Sequence, residues 1–185
     1  MNAFRAELGK LLTLPSLWIT ALLTAAVTVL LRAVGLPGSV LVHTQAGLLV
    51  LGVLAAAHEY QGGGQIRTTL LAMPRRLPLA AAKTAALTVL AFPVAGVVAA
   101  LAGELSATPR AALSMLVAAG VGGLVRQTVA SVGIVLTAYV IVAPLMAARL
   151  PASARWMPDA GWAAALIWAF ALVAAWAITL RGRDA

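Results

Sequence analysis

Residues 40–57, VLVHTQAGLLVLGVLAAA, form an almost unbroken apolar run that stops at the polar residues His58, Glu59 and Tyr60. A helix needs about 20 mainly apolar residues to cross the hydrocarbon core of a bilayer, and this run meets that requirement. The whole chain has the same character, since 63% of its 185 residues are hydrophobic and only 10% are charged. Its mean hydropathy is +1.01. Such a composition lies outside the range of soluble globular domains, so the surface of the fold must itself be apolar.

The sequence as a whole predicts an all-α integral membrane protein with a single transmembrane domain over residues 1–185, built as a bundle of six transmembrane helices. An amphipathic N-terminal segment, 1–13, precedes the first of them. Pro93 predicts a kink in the third helix, and Trp162 and Trp176 are candidate membrane-interface anchors near the ends of the sixth. If 109–125 were a re-entrant or tilted segment, the number of spans would fall to five. The six predicted spans are 14–31, 40–57, 84–102, 109–125, 129–148 and 161–180.

The basic residues predict the orientation of these spans. Lysine and arginine concentrate in cytoplasmic loops, and an N-terminus in the cytoplasm places nine basic residues inside against four outside. Both termini are therefore expected in the cytoplasm, and topology accounts for the net charge of +8 better than nucleic-acid binding does. The inside set is Arg5, Lys10, Arg67, Arg75, Arg76, Lys83, Arg126, Arg181 and Arg183, and the outside set is Arg32, Arg110, Arg149 and Arg155.

The five acidic residues all fall at span ends or in loops. Ion-coupled carriers usually need an ionisable group along their pathway, so a secondary transporter is disfavoured. The chain has no cysteine and no motif typical of a hydrolase or a phosphate-binding loop. We expect no enzymatic activity, no metal site and no cofactor in this chain, so any ATP hydrolysis must come from another one.

Two groups of residues within the spans have both a functional and a structural interpretation. His43, Thr44 and Gln45 could line a substrate path, but hydrogen bonding between helices or burial near the outer headgroups is favoured. In the fourth span, small residues four positions apart would allow close helix packing. An alanine-rich composition explains them equally well. These small residues are Ala118 with Gly122, and Ala119 with Gly123.

The segment 59–83, between the second and third spans, is the most distinctive part of the sequence. Three consecutive glycines follow the second span, and the apolar residues after them alternate with Arg67 and its neighbours up to Pro74. This pattern predicts a short amphipathic helix on the cytoplasmic membrane surface. On physical grounds alone, anchoring to lipid and docking of a partner protein are equally supported.

A resemblance favours docking. The acid–tyrosine pair Glu59–Tyr60, the glycine turn, the stretch IRTTLLAMPRR and the AAAK that opens the third span resemble the permeases of type-2 ABC exporters (the ABC-2 family) in their actinobacterial form. The N-terminal FRAELGKL, the GLVRQT turn between the fourth and fifth spans and the basic C-terminus are also similar to this family.

The resemblance implies a bacterial plasma-membrane permease that works as one of two permease chains, the same or different, with two cytosolic ABC ATPase subunits that bind ATP and magnesium. The segment 59–83 would be the coupling helix that docks into the ATPase. In that case Glu59 and Tyr60 would lie near the ATPase contact, with Arg67 on the coupling helix. Arg75 and Arg76 would lie at its exit, and Arg126 would mark a second, smaller contact.

These expectations amount to an exporter subunit that moves a hydrophobic or amphipathic substrate outward by alternating access. A non-transporting scaffold that recruits a soluble partner through the same segment is the main alternative. A passive channel is a further alternative, disfavoured because no stretch has the charged or carbonyl-rich character of a selectivity filter.

Overall fold

The computed structural model describes residues 3–35, 37–60, 76–150, 152, 155–158 and 160–182, with backbone only at 76, 77 and 180–182. All regular secondary structure in these ranges is helical. The helices are α1 (Ala3–Leu12), α2 (Pro15–Val34), α3 (Val40–Ala57), α4 (Arg76–Ala102), α5 (Thr108–Val125), α6 (Thr128–Leu136), α7 (Ala143–Arg149) and α8 (Trp162–Gly182).

Six of the helical stretches are long and apolar enough to cross a membrane. They correspond to α2, α3, α4, α5, the continuous unit formed by α6 and α7, and α8, which confirms the prediction of an all-α bundle of six transmembrane helices. The predicted coupling helix falls on 61–75, outside the described residues.

The fourth span, which the sequence left open to a re-entrant form, is a continuous helix at the centre of the bundle. In its most apolar stretch 67% of residues are buried, against 61% in the second span and 17% in the first and fifth. Helix α5 packs against α3, α4, α6 and α8. A glycine of α3 permits this crowding, because Gly52 lies so close to Met115 of α5 that an added Cβ would sit 2.1 Å from the Met115 carbonyl oxygen.

The fifth span contains a π-helical segment, Thr137–Val142, between α6 and α7. Pro144 follows it and has no N–H to donate to the carbonyl one turn back, which disrupts regular α-helical bonding. The backbone N–H of Ala143 donates instead to the carbonyl of Ala138, five residues back. Pro93, by contrast, lies inside α4, which continues on both sides of it; the predicted kink there stays a prediction.

The third span begins earlier than the sequence indicated. Thr84 was expected to be its first residue, but α4 starts at Arg76 and carries Lys83 well inside the helix. The sequence predicts Lys83 as the last residue of the cytoplasmic segment 59–83, whereas residues 76–83 form the first two turns of α4, where an isolated charge would be costly. Lys83 is tolerated there because residues from two other helical segments neutralise it, as described below.

Candidate functional site

Four charged residues from three separate parts of the chain meet at one end of the bundle. Glu7 and Lys10 lie on α1, Glu59 lies in a 3-10 turn (His58–Tyr60) that extends α3, and Lys83 lies on α4. We call this cluster the ionic ring, and the end of the bundle that carries it the α1 face. The helices that supply the ring are held together here by charge as well as by apolar packing.

Each glutamate of the ring contacts both lysines. Lys10 Nζ donates to Glu7 Oε1 at 2.8 Å and to Glu59 Oε1 at 3.4 Å. Lys83 Nζ donates to Glu7 Oε2 at 2.9 Å, and also to Glu59 Oε2. Acids and bases therefore alternate around a closed circuit with no net charge.

The ring is shielded from the surroundings. The side chains of Lys83, Glu59 and Glu7 are 5%, 4% and 7% exposed, whereas that of Lys10 is 25% exposed. Buried charges are costly unless they are paired, and removal of one partner leaves an uncompensated charge. The complete ring is thus tolerated as a unit, and it favours the one arrangement of α1, α3 and α4 that closes the circuit.

Lys10 lies outside the membrane-spanning helices and is the ring member nearest the surroundings. Burial alone would lower the pKa of its ammonium group, but the hydrogen bond to Glu7 and the charges of Glu59 and Glu7 together raise that pKa above its ordinary value. Lys10 therefore stays charged throughout the physiological range.

The space beside the ring is too small for a substrate. A cavity of about 10 Å³, bordered by the ring, His58 and Trp176, lies at the lower limit for one water molecule. The ring consequently acts as a structural connection between helices rather than as a binding pocket.

Tyr60, the residue after Glu59, is held by a second set of contacts on the α1 face. Trp176 of α8 donates from its indole Nε1 to the Tyr60 hydroxyl at 3.0 Å. The guanidinium carbon of Arg126 lies 5.2 Å from the centroid of the Tyr60 ring, within cation–π range. We call Tyr60, Arg126 and Trp176 the aromatic cluster. It connects the end of α3 to the α5–α6 turn and to α8.

Backbone geometry places both Arg126 and Trp176. Arg126 caps α5 in the left-handed conformation, with φ of 61°, and its N–H donates to Gly122. Trp176 packs against Gly123, where a Cβ would be only 2.5 Å from the indole. Trp176 is only 3% exposed, so its prediction as a membrane-interface anchor was wrong. The indole is buried because Gly123 leaves space for it on the surface of α5.

The ionic ring and the aromatic cluster meet at consecutive residues. Glu59 connects to α1 and α4, and Tyr60 connects to α8 and the α5–α6 turn. Tyr60 directly precedes the segment 61–75, and α4 begins directly after that segment. Both ends of the segment are therefore joined to the body of the bundle. Glu59, Tyr60 and Arg126 were predicted as site residues from the sequence, whereas the contributions of Glu7, Lys10, Lys83 and Trp176 were not.

The remaining residues predicted to dock a partner are not brought together by the described contacts. Arg67 and Arg75 lie outside the described residues, and Arg76 is described only as the first residue of α4. Glu59 is 3% exposed and faces the interior. Its part in an ATPase contact stays a prediction, and such a part would have to act through the ring.

The three polar residues of α3 point in different directions near the opposite end of the bundle. His43 is exposed, and its Nδ1 lies 3.0 Å from the Ser39 carbonyl oxygen. Thr44 is buried and donates to the Val40 carbonyl of its own helix at 3.3 Å. Gln45 is half-buried. These contacts fit burial and helix packing, and the role of the three residues in a substrate path stays a prediction.

The small residues of α5 face two neighbouring helices. Ala118 and Gly122 lie on the α3 side, where a Cβ on Gly122 would be 3.0 Å from the carbonyl oxygen of Val53. Ala118 and Ala119 are almost fully buried. Gly123 faces Trp176 of α8. The fourth span therefore approaches helices on two sides at close range.

The end of the bundle opposite the α1 face has its own polar contact, centred on Glu104. Ser39 Oγ donates to Glu104 Oε2 at 2.5 Å, and the Leu41 N–H donates to Oε1 at 3.2 Å. Burial alone would raise the pKa of the Glu104 carboxyl, but the bonds from Ser39 and from the Leu41 and Val40 amides, with the nearby charge of Arg110, hold it below its ordinary value. The Glu104 carboxylate thus ties the start of α3 to the end of α4.

No protein-family model, curated protein or solved structure matches the chain. The fold and the composition nevertheless define its class. It is a multi-pass membrane protein of six membrane-spanning helices, in which the described charges gather at the ends of the spans.

Proposed function

We propose that this chain is the permease subunit of a type-2 ABC exporter in a bacterial plasma membrane. Two permease chains would assemble with two cytosolic ATPase subunits, which bind ATP and magnesium. Hydrolysis in the partner would drive the spans between inward-open and outward-open states. The proposal begins with the sequence resemblance around 59–83.

The observation that supports it best is the attachment of both ends of the segment 61–75. Glu59 and Lys83, on either side of the segment, are bonded to each other within the ionic ring. A force applied to a segment with free ends would be absorbed by local bending. With its ends fixed, displacement of the segment would pass to the helices that hold them.

The contacts specify which helices would respond. The ring connects α3 and α4 to α1, and the aromatic cluster connects α3 to α8 and to the turn between α5 and α6. The second, third and sixth spans each connect directly to one of these two clusters, and the fourth and fifth spans border the turn that carries Arg126. Movement at one segment would therefore reach most of the bundle, as alternating access driven by a separate motor requires.

Orientation follows from the same proposal. The α1 face would lie in the cytoplasm with both termini, in agreement with the distribution of basic residues. The expected substrate is hydrophobic or amphipathic. The described spans offer mainly apolar surface between their ends, and a strongly charged substrate would find no compensating side chains there.

Affinity purification of the tagged chain in mild detergent tests the proposal. We expect an ATP-binding-cassette subunit to co-purify in a ratio of one to one and to hydrolyse ATP. Substitution of Arg67, Arg75 and Arg76 by glutamine should release it. Substitution of Arg110, Arg149 and Arg155, equal in number and on the opposite side, should not.

Other outcomes would select a different function. A folded chain that captures a soluble partner without ATPase activity would support the scaffold alternative. A chain that purifies alone and makes liposomes permeable to ions would support a channel. Release of the ATPase on substitution of Arg110, Arg149 and Arg155, but not on substitution of Arg67, Arg75 and Arg76, would contradict the proposed docking surface.

A further inference from the structure

An open apolar groove runs along the bundle between α1, α2 and α4. Its volume is about 460 Å³. Its wall includes Leu8 and Leu12 of α1, Trp18 and Leu22 of α2, and Pro93 and Val97 of α4. The lining is almost entirely hydrocarbon, so an occupant that needs hydrogen bonds would gain nothing there.

Trp18 offers no polar group to this groove. Its indole Nε1 donates to the Leu12 carbonyl at 2.7 Å, which satisfies the only donor of the ring. The part of the indole that lines the groove is therefore its hydrocarbon face. Val89 and Val98 of α4 both line the groove, and the rise of an α-helix separates them by about 13 Å along the axis. The groove thus follows α4 for at least about 13 Å.

A cation lies on the same helical stripe as the groove wall. Arg5, Leu8 and Leu12 are spaced i, i+3 and i+7, which places them on one face of α1. Arg5 is exposed, and it forms no ion pair within the part of the chain that the structure describes. Lys10, in contrast, forms ion pairs with Glu7 and Glu59 in the ionic ring. The groove therefore has a hydrocarbon body, and the stripe that leads to it carries the guanidinium of Arg5, which has no acidic partner among the described residues.

We infer that this groove is a binding site for an anionic phospholipid of the leaflet that contains α1. One acyl chain lies along α4 past Pro93, and the phosphate pairs with Arg5. An apolar helix from a second copy of the chain would also match the groove wall, but it would leave Arg5 without a counter-charge. This inference goes beyond the proposed function and needs no ATPase.

Native mass spectrometry of the full chain in detergent tests the headgroup contact. The delipidated protein is titrated with dioleoyl phosphatidylglycerol or dioleoyl phosphatidylcholine, and bound lipid is counted. One basic residue near an anionic lipid is expected to favour phosphatidylglycerol about fivefold. Arg5→Gln should remove that preference. Arg149→Gln, which changes an exposed arginine at the far end of the bundle, should keep it.

A second pair of variants tests the acyl-chain contact. Ala25 of α2 lines the groove, whereas Ala26 is exposed beside it. Ala25→Phe should fill the groove and reduce retention of both lipids. Ala26→Phe adds the same volume outside the groove, and this variant should bind both lipids as the unsubstituted chain does. Thermal unfolding of each variant verifies that it is folded.

Two results would overturn the inference. Equal retention of the two lipids, unchanged by Arg5→Gln and Ala25→Phe, would show only the general lipid layer around any membrane protein. A dimer that forms without lipid and is lost on Ala25→Phe would show that a second copy occupies the groove. Failure to recover an ATPase would affect neither measurement, so the two proposals fail separately.

Discussion

Lys83 Nζ lies 2.9 Å from Oε2 of Glu7, although 76 positions separate the two residues in the sequence. This contact joins the N-terminal helix to the beginning of the third span. Through Glu59 it also includes the end of the second span. Three segments that are far apart in sequence thus share one buried, charge-balanced circuit, and its stability should depend on that balance.

The first prediction concerns Lys83. Lys83→Met should lower the free energy of unfolding by about 3–5 kcal/mol, because it leaves two buried carboxylates against one lysine. Lys10→Met should cost less, since the Lys10 side chain is 25% exposed against 5% for Lys83. Thermal or denaturant unfolding in detergent measures both. Lys83→Met combined with Glu59→Gln restores the balance and should be more stable than Lys83→Met alone; a double variant that is less stable would contradict the charge-balance account.

The second prediction concerns the docking of α1. Leu11 is 5% exposed beneath the helix, and the native chain has no cysteine, so a single Leu11→Cys reports on access to the underside of α1. Glu7→Gln weakens two charge-assisted bonds and should speed maleimide labelling of that cysteine by about tenfold or more. Gly9→Cys, at an exposed position with open space around it, should be labelled at the same rate in both backgrounds. Unchanged labelling at position 11 would mean that the ring does not hold α1.

The third prediction concerns the bond between Trp176 and Tyr60. Trp176→Phe or Tyr60→Phe alone should each cost about 0.5–1.5 kcal/mol in unfolding free energy, plus the packing lost with the indole in the first case. The effects should be non-additive in a double-mutant cycle, since both substitutions remove the same bond. Trp168→Phe removes an indole bond to Trp156 elsewhere, and its effect should add to that of Tyr60→Phe. Strict additivity for Trp176 and Tyr60 would show that their contact contributes nothing.

The fourth prediction concerns close packing around the fourth span. Gly52→Ala should destabilise the fold by about 1–3 kcal/mol, because the new Cβ would overlap the Met115 backbone and force α3 away from α5. Gly133→Ala is the matched control, since a Cβ there meets nothing within 4 Å. It should be neutral or slightly stabilising through helix propensity. Equal unfolding temperatures for the two variants would exclude the close approach of α3 and α5.

The fifth prediction concerns pH and Glu104. The folded-state pKa of this carboxyl lies below its ordinary value of 4.5. Its contribution to stability is therefore complete above the ordinary pKa, and it is lost as the pH falls through the lower folded-state value. Ser39→Ala, which removes one of the bonds that lower the pKa, should shift this loss to higher pH. Unfolding temperatures measured across the acidic range, with Glu104→Gln as the variant that cannot titrate, verify the direction; a loss that moves to lower pH in Ser39→Ala would contradict it.

The number and position of the spans were predictable because a membrane helix is defined by a local property, an apolar run of about 20 residues. The predicted 40–57 agrees with α3, and 109–125 agrees with α5 to within one residue. The start of the third span was not predictable in the same way. Lys83 interrupts the apolar pattern, and only Glu7 and Glu59, which are remote in sequence, make it acceptable inside a helix.

The sequence carries one signal of the ionic ring. Glu7 and Glu59 were both placed on the predicted inner side, as were Lys10 and Lys83, the only lysines of the chain. Acidic and basic residues on the same side of a membrane domain are candidates for ion pairing. Their partners could not be assigned, because pairing depends on how α1, α3 and α4 pack and not on spacing along one helix.

The burial of the aromatic side chains of α8 was likewise not predictable from the sequence. Trp162 and Trp176 both lie near the ends of α8. Trp162 is 66% exposed, and Trp176 is 3% exposed. The difference arises from Gly123 on the neighbouring helix, which leaves room for one indole. Composition along α8 carries no information about that neighbour.

We propose that an ATPase docks on the α1 face through the segment that follows Tyr60. A photo-crosslinking amino acid placed at position 67 in living cells tests this docking, with position 155 on the opposite side as the control. We expect a crosslink from position 67 to an ATP-binding-cassette subunit and none from position 155. No such adduct from position 67 in a correctly inserted, folded protein, or an ATPase adduct from position 155, would contradict it.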